Sequence, residues 1–400
     1  MRTNLHINIL IAVILGITAG IFIPNFSNVY LILGQVFISL LKYIVVPLVF
    51  ASLITGIISL GNIGSLQKMG LKTIVYFIAT TTISSIIGLV LAVILQPGKG
   101  FNYSNSSSEK VKEAVSLNEM FSQIIPTDFF TFISGGNMLF VIIISILLGV
   151  IVLAFGKNIN FPIDELFEGF NEFMMIITNW VIIISPIGIF GLIAQLVITT
   201  GASSIFALIK YAFVILLGLA IHAFVILPFI LKTFIKCSPI SVAKDVFASL
   251  ATGFTTASSA ASLPILMDDT RKKLKVPNKI ASFVLPLGIT INMDGTALFQ
   301  AVAAVFISQI YGVDLSFFNY FIIIFFTILS SIGAAAVPSA GIITLTMILT
   351  AIGVPIGATA IILSIDRILD MNRTAVNLWG NTIATLVITK LQGEKAFDES

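Results

Sequence analysis

Long apolar stretches separated by short polar ones dominate this chain of 400 residues. A helix needs about 20 apolar residues to cross the hydrocarbon core of a bilayer. Stretches of that kind predict membrane helices, several of them long enough to be tilted or interrupted. They cover residues 7–23, 32–58, 71–95, 138–155, 169–200, 204–235, 280–306, 318–350 and 356–389. No small-residue cleavage site precedes Pro24, so we expect the first stretch to be a retained helix rather than a signal peptide.

The composition agrees with this pattern and excludes several classes of protein. Hydrophobic residues make up 58% of the chain and charged residues 10%, whereas a soluble domain has about 25% charged residues. A cytosolic enzyme, a disordered chain and a nucleic-acid binder are therefore excluded. The single cysteine, Cys237, excludes a disulfide framework and a thiolate metal site. His6 and His222 are the only histidines, which leaves little for histidine chemistry.

The distribution of basic residues predicts the orientation in the membrane. With the N-terminus in the cytoplasm, 14 Lys and Arg residues fall in cytoplasmic segments and 3 in external ones. Cytoplasmic loops carry such an excess of basic residues. We expect a multi-pass protein of the inner (plasma) membrane with both termini in the cytoplasm. The polar stretch 96–127 is interpreted as a flexible external loop.

Two polar interruptions of similar composition lie in the C-terminal part of the chain. Residues 252–264 and 330–341 both combine hydroxyl side chains, small residues and a proline within apolar surroundings. Backbone that leaves a helix at membrane depth must be buried in protein or line a cavity. Such a pair in two halves of a chain favours two re-entrant hairpins that meet at a transport site. The alternative is that both segments are small-residue seams between packed helices.

A third interruption, at residues 286–296, adds a charge within a membrane helix. Pro286, Gly288 and Gly295 weaken the helix, and Asp294 lies among them. A helix that unwinds here frees carbonyl groups, which together with Asn292 and the carboxylate would offer a small cation oxygen ligands. The alternative is a proline kink in which Asp294 bonds to a neighbouring side chain. Because an aspartate inside a span is usually functional, we favour a cation site.

The last apolar stretch carries polar residues along one side. On a helix they fall within an arc of about 100°, and they are Asp366, Asp370, Arg373, Thr374, Asn377 and Asn381. One interpretation is an internally neutralised network that joins helices. The other is a ligand site, because Arg373 suits a planar carboxylate and Asp370 suits an ammonium group. A ligand with both groups is an amino acid, and a second carboxylate would engage Arg373.

These motifs resemble the dicarboxylate/amino acid:cation symporter family, which includes archaeal aspartate transporters and animal glutamate transporters. The resemblance runs from about Ile7 to Lys390 and is most specific in the serine-rich segment ending at Pro264, in NMDGT at 292–296 and in DxxxDxxRTxxN at 366–377. It implies eight transmembrane helices, two re-entrant hairpins at about 242–268 and 318–350, inverted repeats and a homotrimer that works as an elevator.

The family also implies a division of the chain into a fixed scaffold and a moving transport domain. The parts are 1–70 with scaffold spans 1 and 2, 71–95 with span 3 of the transport domain, 96–201 with the external loop and scaffold spans 4 and 5, 202–390 with the core transport domain, and the cytoplasmic tail 391–400.

The resemblance assigns roles residue by residue. Asp370 would hold the substrate ammonium, Asn377 the α-carboxylate, and Arg373 with Thr296 and Thr374 the side-chain carboxylate. The hairpin tips would contact the substrate through Ala257, Ser258, Ser259, Val337, Pro338, Ser339, Ala340 and Gly341. One cation site would use Gly288, Asn292, Asn377 and Asn381, and a second would use carbonyl groups near Thr290, Ser331, Ile332 and Ala334. A third would use Thr80, Thr81, Asn292 and Asp294.

The chain departs from the family pattern where the coupling ion would bind. Sodium-coupled archaeal members have an aspartate at the position of Asn381 and an aromatic hydroxyl at that of Phe77. They also have an arginine at Ala257, whereas here Arg367 supplies a guanidinium from the last helix. Protons, sodium ions or both therefore remain open as coupling ions. The groups that would titrate are Asp294, Asp366 and Asp370.

The expected function is the import of L-glutamate and L-aspartate by symport, with no enzymatic activity and no cofactor besides coupling ions. A C4-dicarboxylate (succinate, fumarate or malate) or cystine is the alternative substrate, although family members for dicarboxylates lack an aspartate at Asp370. A membrane protease or a passive channel is the alternative from another class, and neither histidine lies near the polar residues in sequence. The expected partners are the acidic substrate, the lipid bilayer and two further copies of the chain.

Overall fold

The computed structural model describes residues 5–58, 67–99, 138–155, 161–200, 203–333, 340–355 and 359–394, and all of their regular structure is helical. By length and composition, three helices in this described part can cross a membrane, namely Met69–Leu95, Phe206–Phe234 and Asn278–Ile310. A bent pair, Ile11–Phe22 with Pro24–Phe37, would make a fourth. The predicted all-helical class is confirmed.

The helices fall close to the predicted apolar stretches. In the first half they are α1 Leu5–Phe22, α2 Ser27–Ile58, α3 Gln67–Leu95, α4 Met138–Phe155, α5 Ile163–Ile183 and α6 Ser185–Thr200. In the second half they are α7 Ser203–Ile221, α8 Leu227–Phe234, α9 Pro239–Asp245, α10 Phe247–Thr256, α11 Ser259–Lys272, α12 Asn278–Ile291, α13 Asp294–Ile310, α14 Phe317–Gly333, α15 Ala340–Ala351 and α16 Thr359–Leu391.

The helices pack as two groups. Helix α2 lies against α4, α5 and α6, and α1 lies along α6. Small residues allow close approach in this group, since a Cβ added to Gly20 would lie 2.8 Å from the Ala194 carbonyl oxygen. In the second group α13 packs against α3, and α16 contacts α7, α10, α12 and α13. The two groups meet where α14 and α15 contact α2 and where α16 contacts α6.

Two irregular points in the second group shape the region described next. The helix from Ser203 to Phe234 contains a π-helical turn over His222–Ile226. Pro228 follows this turn and has no N–H to continue the regular bonding, which accounts for the irregularity. Helices α10 and α11 are joined at Ala257, whose φ of 49° is left-handed.

The predicted interruption at 286–296 is real but shorter than expected. Helix α12 runs through Pro286 and ends only at Ile291, and α13 begins at Asp294. The expectation that Pro286 and Gly288 would unwind the helix is therefore wrong. The third interruption, at 330–341, falls largely on residues 334–339, which lie outside the described part of the chain.

Candidate functional site

The polar side of the last helix faces the protein interior. All six of its predicted polar residues are buried, each at most 7% exposed, and they are Asp366, Asp370, Arg373, Thr374, Asn377 and Asn381. Helix α16 holds them there because it is enclosed by α7, α10, α12 and α13. The helical arc predicted from the sequence is confirmed, and its polar groups are kept away from lipid.

Arg373 is the charged centre of this face. Its Nη2 atom lies 2.8 Å from Asp366 Oδ1 and 2.8 Å from Asp370 Oδ1. Its Cζ atom lies 3.8 Å from the centre of the Phe299 ring, in a cation–π geometry. Within the described residues, Nε and Nη1 of Arg373 have no hydrogen-bond partner. The internal network considered from the sequence exists, but it engages only one of the three guanidinium nitrogens.

The tip between α10 and α11 lies beside the same helix. Ala257 is buried, and Ser258 Oγ accepts a hydrogen bond from the Ala261 amide at 3.3 Å, which caps α11. Arg367 Nη2 donates to the Thr256 carbonyl oxygen at 3.2 Å, so the last helix supplies a guanidinium to the tip. Ser259, the first residue of α11, is also buried.

Thr296, Asn377 and Gly341 bring α13, α16 and α15 together. The Asn377 side chain accepts from the Gly295 amide at 2.7 Å and donates to Thr296 Oγ1 at 3.4 Å. Gly341 lies so close to Thr296 that an added Cβ would be 2.9 Å from its Cγ2 atom. Val337, Pro338 and Ser339 lie outside the described residues, as does the side chain of Ala340.

Gln300 was missed by the sequence analysis and holds α15 against α14. Its buried amide nitrogen donates to Ser330 Oγ at 2.7 Å, to the Gly341 carbonyl oxygen at 3.0 Å and to Thr344 Oγ1 at 2.5 Å. A polar residue in the middle of the helix Asp294–Ile310 was the available signal, because such residues are costly in a membrane segment.

An oxygen-rich cluster surrounds the break between α12 and α13. Asp294 Oδ1 accepts hydrogen bonds from Thr81 Oγ1 at 2.8 Å and Thr80 Oγ1 at 3.3 Å. Thr80 also donates to Asn292 Oδ1 at 3.3 Å, and Asn292 Nδ2 donates to Asn381 Oδ1 at 2.9 Å. Hydroxyl, amide and carboxylate oxygens are the ligands that hard cations prefer. The structure thus brings together the residues of the third predicted cation site and connects them to the first.

Gly288 explains how Asn381 reaches this cluster. A Cβ added to Gly288 would lie 2.5 Å from Asn381 Oδ1 and 3.2 Å from the Phe77 ring. No side chain fits there without displacing Asn381. Gly288, which the sequence suggested as a helix breaker, therefore leaves the space that the Asn381 side-chain amide occupies.

His222 is the main addition to the sequence analysis. Its Nε2 atom lies 3.0 Å from Asp294 Oδ2, and both side chains are fully buried. His222 is far from the polar residues in sequence, but the structure places it beside Asp294, 72 residues further along the chain, because α7 packs against α13. The available signal was an ionisable residue inside an apolar span.

The second predicted cation site, formed by carbonyl groups near Thr290, Ser331, Ile332 and Ala334, lies only partly within the described residues and stays a prediction. Thr290 Oγ1 donates to Pro286 and Ser331 Oγ to Ile328, each to a carbonyl of its own helix. Ala334 and the side chain of Ile332 lie outside the described part.

Comparison with known proteins gives a consistent result over the whole chain. The model of the sodium:dicarboxylate symporter family matches residues 5–391. The chain is similar to the proton/sodium-glutamate symport protein of Bacillus caldotenax, with 35% identity over 98% of this chain and 96% of that protein. It is also similar to the proton/glutamate-aspartate symporter of Escherichia coli, with 33% identity and coverages of 98% and 93%. The neutral amino acid transporter B(0) of Bos taurus is 32% identical over 95% of this chain and 79% of that protein.

Proposed function

The chain belongs to the sodium:dicarboxylate symporter family, and we propose that it is a secondary active symporter that imports L-glutamate and L-aspartate together with protons, sodium ions or both. The observation that carries the substrate class is the buried Arg373 beside Asp370, with two guanidinium nitrogens that no described residue hydrogen-bonds. Two relatives of similar length are named for glutamate or glutamate-aspartate symport with protons. As members of a transporter family, such chains move solutes rather than convert them.

Binding of an acidic amino acid fits the charges around Arg373. Its Nε and Nη1 atoms have no hydrogen-bond partner among the described residues, and each can donate a charge-assisted hydrogen bond to a substrate carboxylate. Asp370 would receive the ammonium group, Thr296 and Thr374 would support the side-chain carboxylate, and Asn377 would bind the α-carboxylate. The tip at Ala257, Ser258 and Ser259, of which Ala257 and Ser259 are buried, would close the site from the other side, and the segment 337–341 would complete it.

Asp370 discriminates between the proposed substrate and a C4-dicarboxylate. A ligand without an ammonium group would bring its carboxylates to a site that already holds Asp366 and Asp370 against one guanidinium. Cystine carries both ammonium and carboxylate groups on a longer molecule, and it remains an alternative substrate. Stronger competition by succinate or cystine than by aspartate would overturn the proposed preference.

The proposed coupling-ion sites lie at the helix break. The strongest is the cluster of Thr80, Thr81, Asn292 and Asp294, whose oxygens converge within hydrogen-bonding distance. The site of Gly288, Asn292, Asn377 and Asn381 has amide oxygens but no carboxylate. This difference supports a smaller contribution of sodium there, since fewer charged ligands weaken cation binding.

An elevator architecture with eight spans, two re-entrant hairpins and a homotrimer is proposed on the family resemblance and on the packing. The α1, α2, α4, α5 and α6 group would form the scaffold, and the α3 and α7–α16 group the transport domain. Among the described residues the groups touch through α12, α14 and α15 with α2, α16 with α1 and α6, α15 with α4, and α7 with α6, and each of these contacts is smaller than those of α2 with α4, α5 and α6 or of α13 with α3. A limited contact of this kind permits one group to slide against the other.

The proposed function is tested by uptake of labelled L-glutamate and L-aspartate into vesicles that contain the purified protein. Imposed proton and sodium gradients are applied separately, and sodium is rigorously excluded in one series. We expect accumulation under the proton gradient alone. Equilibration without accumulation under both gradients would indicate a channel and would refute symport.

A further inference from the structure

A large open groove lies on the side of α7, α8, α9 and α10 away from the buried polar cluster. Its volume is about 1560 Å³, and it extends from Leu216 on α7 to Leu250 on α10, with Trp379 of α16 among its lining residues. Pockets for drug-sized molecules measure about 300–1,000 Å³. The groove is therefore better matched to a long, extended ligand than to the transported amino acid.

One part of the groove is apolar and exposed. Phe224 is 80% exposed, Phe229 68% and Phe247 68%, and all three line the groove. Along the helix, the apolar part from Leu216 to Phe229 extends about 20 Å at 1.5 Å per residue. Half the hydrocarbon thickness of a bilayer is about 15 Å. Acyl chains from a single leaflet can thus cover this surface.

The other end of the groove is basic. Lys232, Lys236 and Lys244 all line it, and all three are exposed. Among the described residues that line the groove, none is an aspartate or a glutamate. Lys232 lies in the last turn of α8, at the end of the membrane-length helix Phe206–Phe234, and Lys236 follows directly after that end. Three exposed lysines, with no carboxylate among the described residues that line the groove, therefore lie at one end of it, and Lys232 and Lys236 are at the end of a membrane-length helix, where lipid phosphates would be found.

We propose that this groove binds an anionic phospholipid, with its phosphate held by Lys232, Lys236 and Lys244 and its acyl chains laid over the exposed phenylalanines. Basic pockets at the ends of membrane helices bind acidic lipid headgroups by the same combination of charge and apolar contact. The site is separate from the proposed amino-acid and cation sites, so it adds a ligand that transport itself does not require.

Two native side chains report on occupancy of the groove. Trp379 lines it and Trp180 is the only other tryptophan in the chain. In a Trp180→Phe background, brominated lipids quench Trp379 fluorescence only when their chains come close to it. Cys237, the sole cysteine, also lines the groove and can be alkylated. Both readouts measure lipid binding directly and are independent of transport activity.

The experiment uses the full chain in vesicles of phosphatidylcholine with brominated phosphatidylglycerol or brominated phosphatidylcholine at equal fractions. We expect a preference of roughly tenfold or more for the anionic lipid at Trp379, and slower alkylation of Cys237 in its presence. The variant Lys232→Gln/Lys236→Gln/Lys244→Gln should lose this preference. The matched control Arg271→Gln/Lys272→Gln/Lys279→Gln removes the same charge from exposed positions outside the groove and should retain it.

Several results would overturn the proposal. Equal quenching by the two lipids in the protein with intact lysines would show that the groove does not recognise the headgroup, whether or not the triple variant folds. If the control variant lost the preference for the anionic lipid to the same extent, the preference would result from the general surface charge and not from this groove. Reversal by inorganic phosphate would identify a site for the free anion rather than for a lipid. If alkylation of Cys237 became slower at higher protein density, whatever the lipid, a second copy of the chain would be covering the groove.

Discussion

The ion pairs of Arg373 allow its structural and transport roles to be separated by mutation. Arg373 contacts Asp366 and Asp370 at 2.8 Å, and the Arg373 and Asp366 side chains are each 1% exposed. Lys272 and Asp268 form an ion pair of nearly the same length, 2.9 Å, but their side chains are 74% and 57% exposed. The two arginine pairs and the lysine pair therefore differ in burial far more than in distance.

The expected cost follows from that difference. At an effective dielectric constant of about 20, a pair 2.8 Å apart has a gross attraction of about 6 kcal/mol, much of it offset by desolvation. Removing one partner of a buried pair costs about 3–5 kcal/mol, because the remaining charge is buried alone. An exposed pair contributes about 0.2–1 kcal/mol. Arg373→Ala should therefore lower the free energy of unfolding several times more than Lys272→Ala.

The assay combines thermal unfolding in detergent with uptake into vesicles. The Arg373→Ala variant should unfold at a lower temperature and lose uptake of glutamate and aspartate. Uptake of neutral amino acids should persist. Adding Asp366→Asn should recover part of the stability, because one orphaned carboxylate is neutralised, but should not restore acidic uptake. Equal effects of Arg373→Ala and Lys272→Ala on stability, or acidic uptake that survives without the guanidinium, would refute the reasoning.

Four further predictions concern the ion cluster and the groove. Asn381→Asp should increase the sodium dependence of uptake, and unchanged ion dependence would contradict the proposed role of this position. Gly288→Ala should weaken the response to cations, because the new methyl group displaces Asn381, with the half-saturating cation concentration as the measure. His222→Ala should destabilise the protein by about 1–3 kcal/mol because the buried Asp294 Oδ2 atom loses the imidazole that lies 3.0 Å from it, and His222→Gln, which can donate, should recover part of this in thermal unfolding. Burial raises the pKa of the Cys237 thiol, so less thiolate is present at a given pH. The pH at which the alkylation rate of Cys237 is half-maximal should therefore lie above the ordinary thiol pKa of about 8.5. A half-maximal rate at or below that pH would contradict the burial.

The sequence predicted the helices and the polar face of α16 because both depend on local regularities. Bilayer thickness sets the length of apolar stretches, and the helical repeat places residues 366–381 on one side. The contact between His222 and Asp294 could not be found in this way, because it joins helices separated by 72 residues. Each residue was visible as a costly group within an apolar span, but their meeting depends on how α7 crosses α13.

The length of the helix break could not be predicted from local sequence rules either. Proline and glycine lower helix stability on average, yet α12 continues past Pro286 and Gly288 because it is buried against α11, α14 and α16. Lys232, Lys236 and Lys244 were counted individually as cytoplasmic charges. Their convergence on one groove required the turn between α8 and α9, which periodicity does not describe.

The proposed substrate and cation sites share one piece of backbone, and this suggests how they are coupled. The break at Asn292 and Met293 carries Asp294 toward His222 and Thr81 on one side and Gly295 toward Asn377 on the other. A cation bound to Asp294 would also restrict the position of Gly295 and therefore that of Asn377, which would bind the substrate. Coupling between two ligands is reciprocal, so a substrate held by Asn377 must favour the cation by the same free energy. We therefore expect that breaking the Asn377 link weakens the mutual enhancement of the two ligands more than it weakens either ligand bound alone.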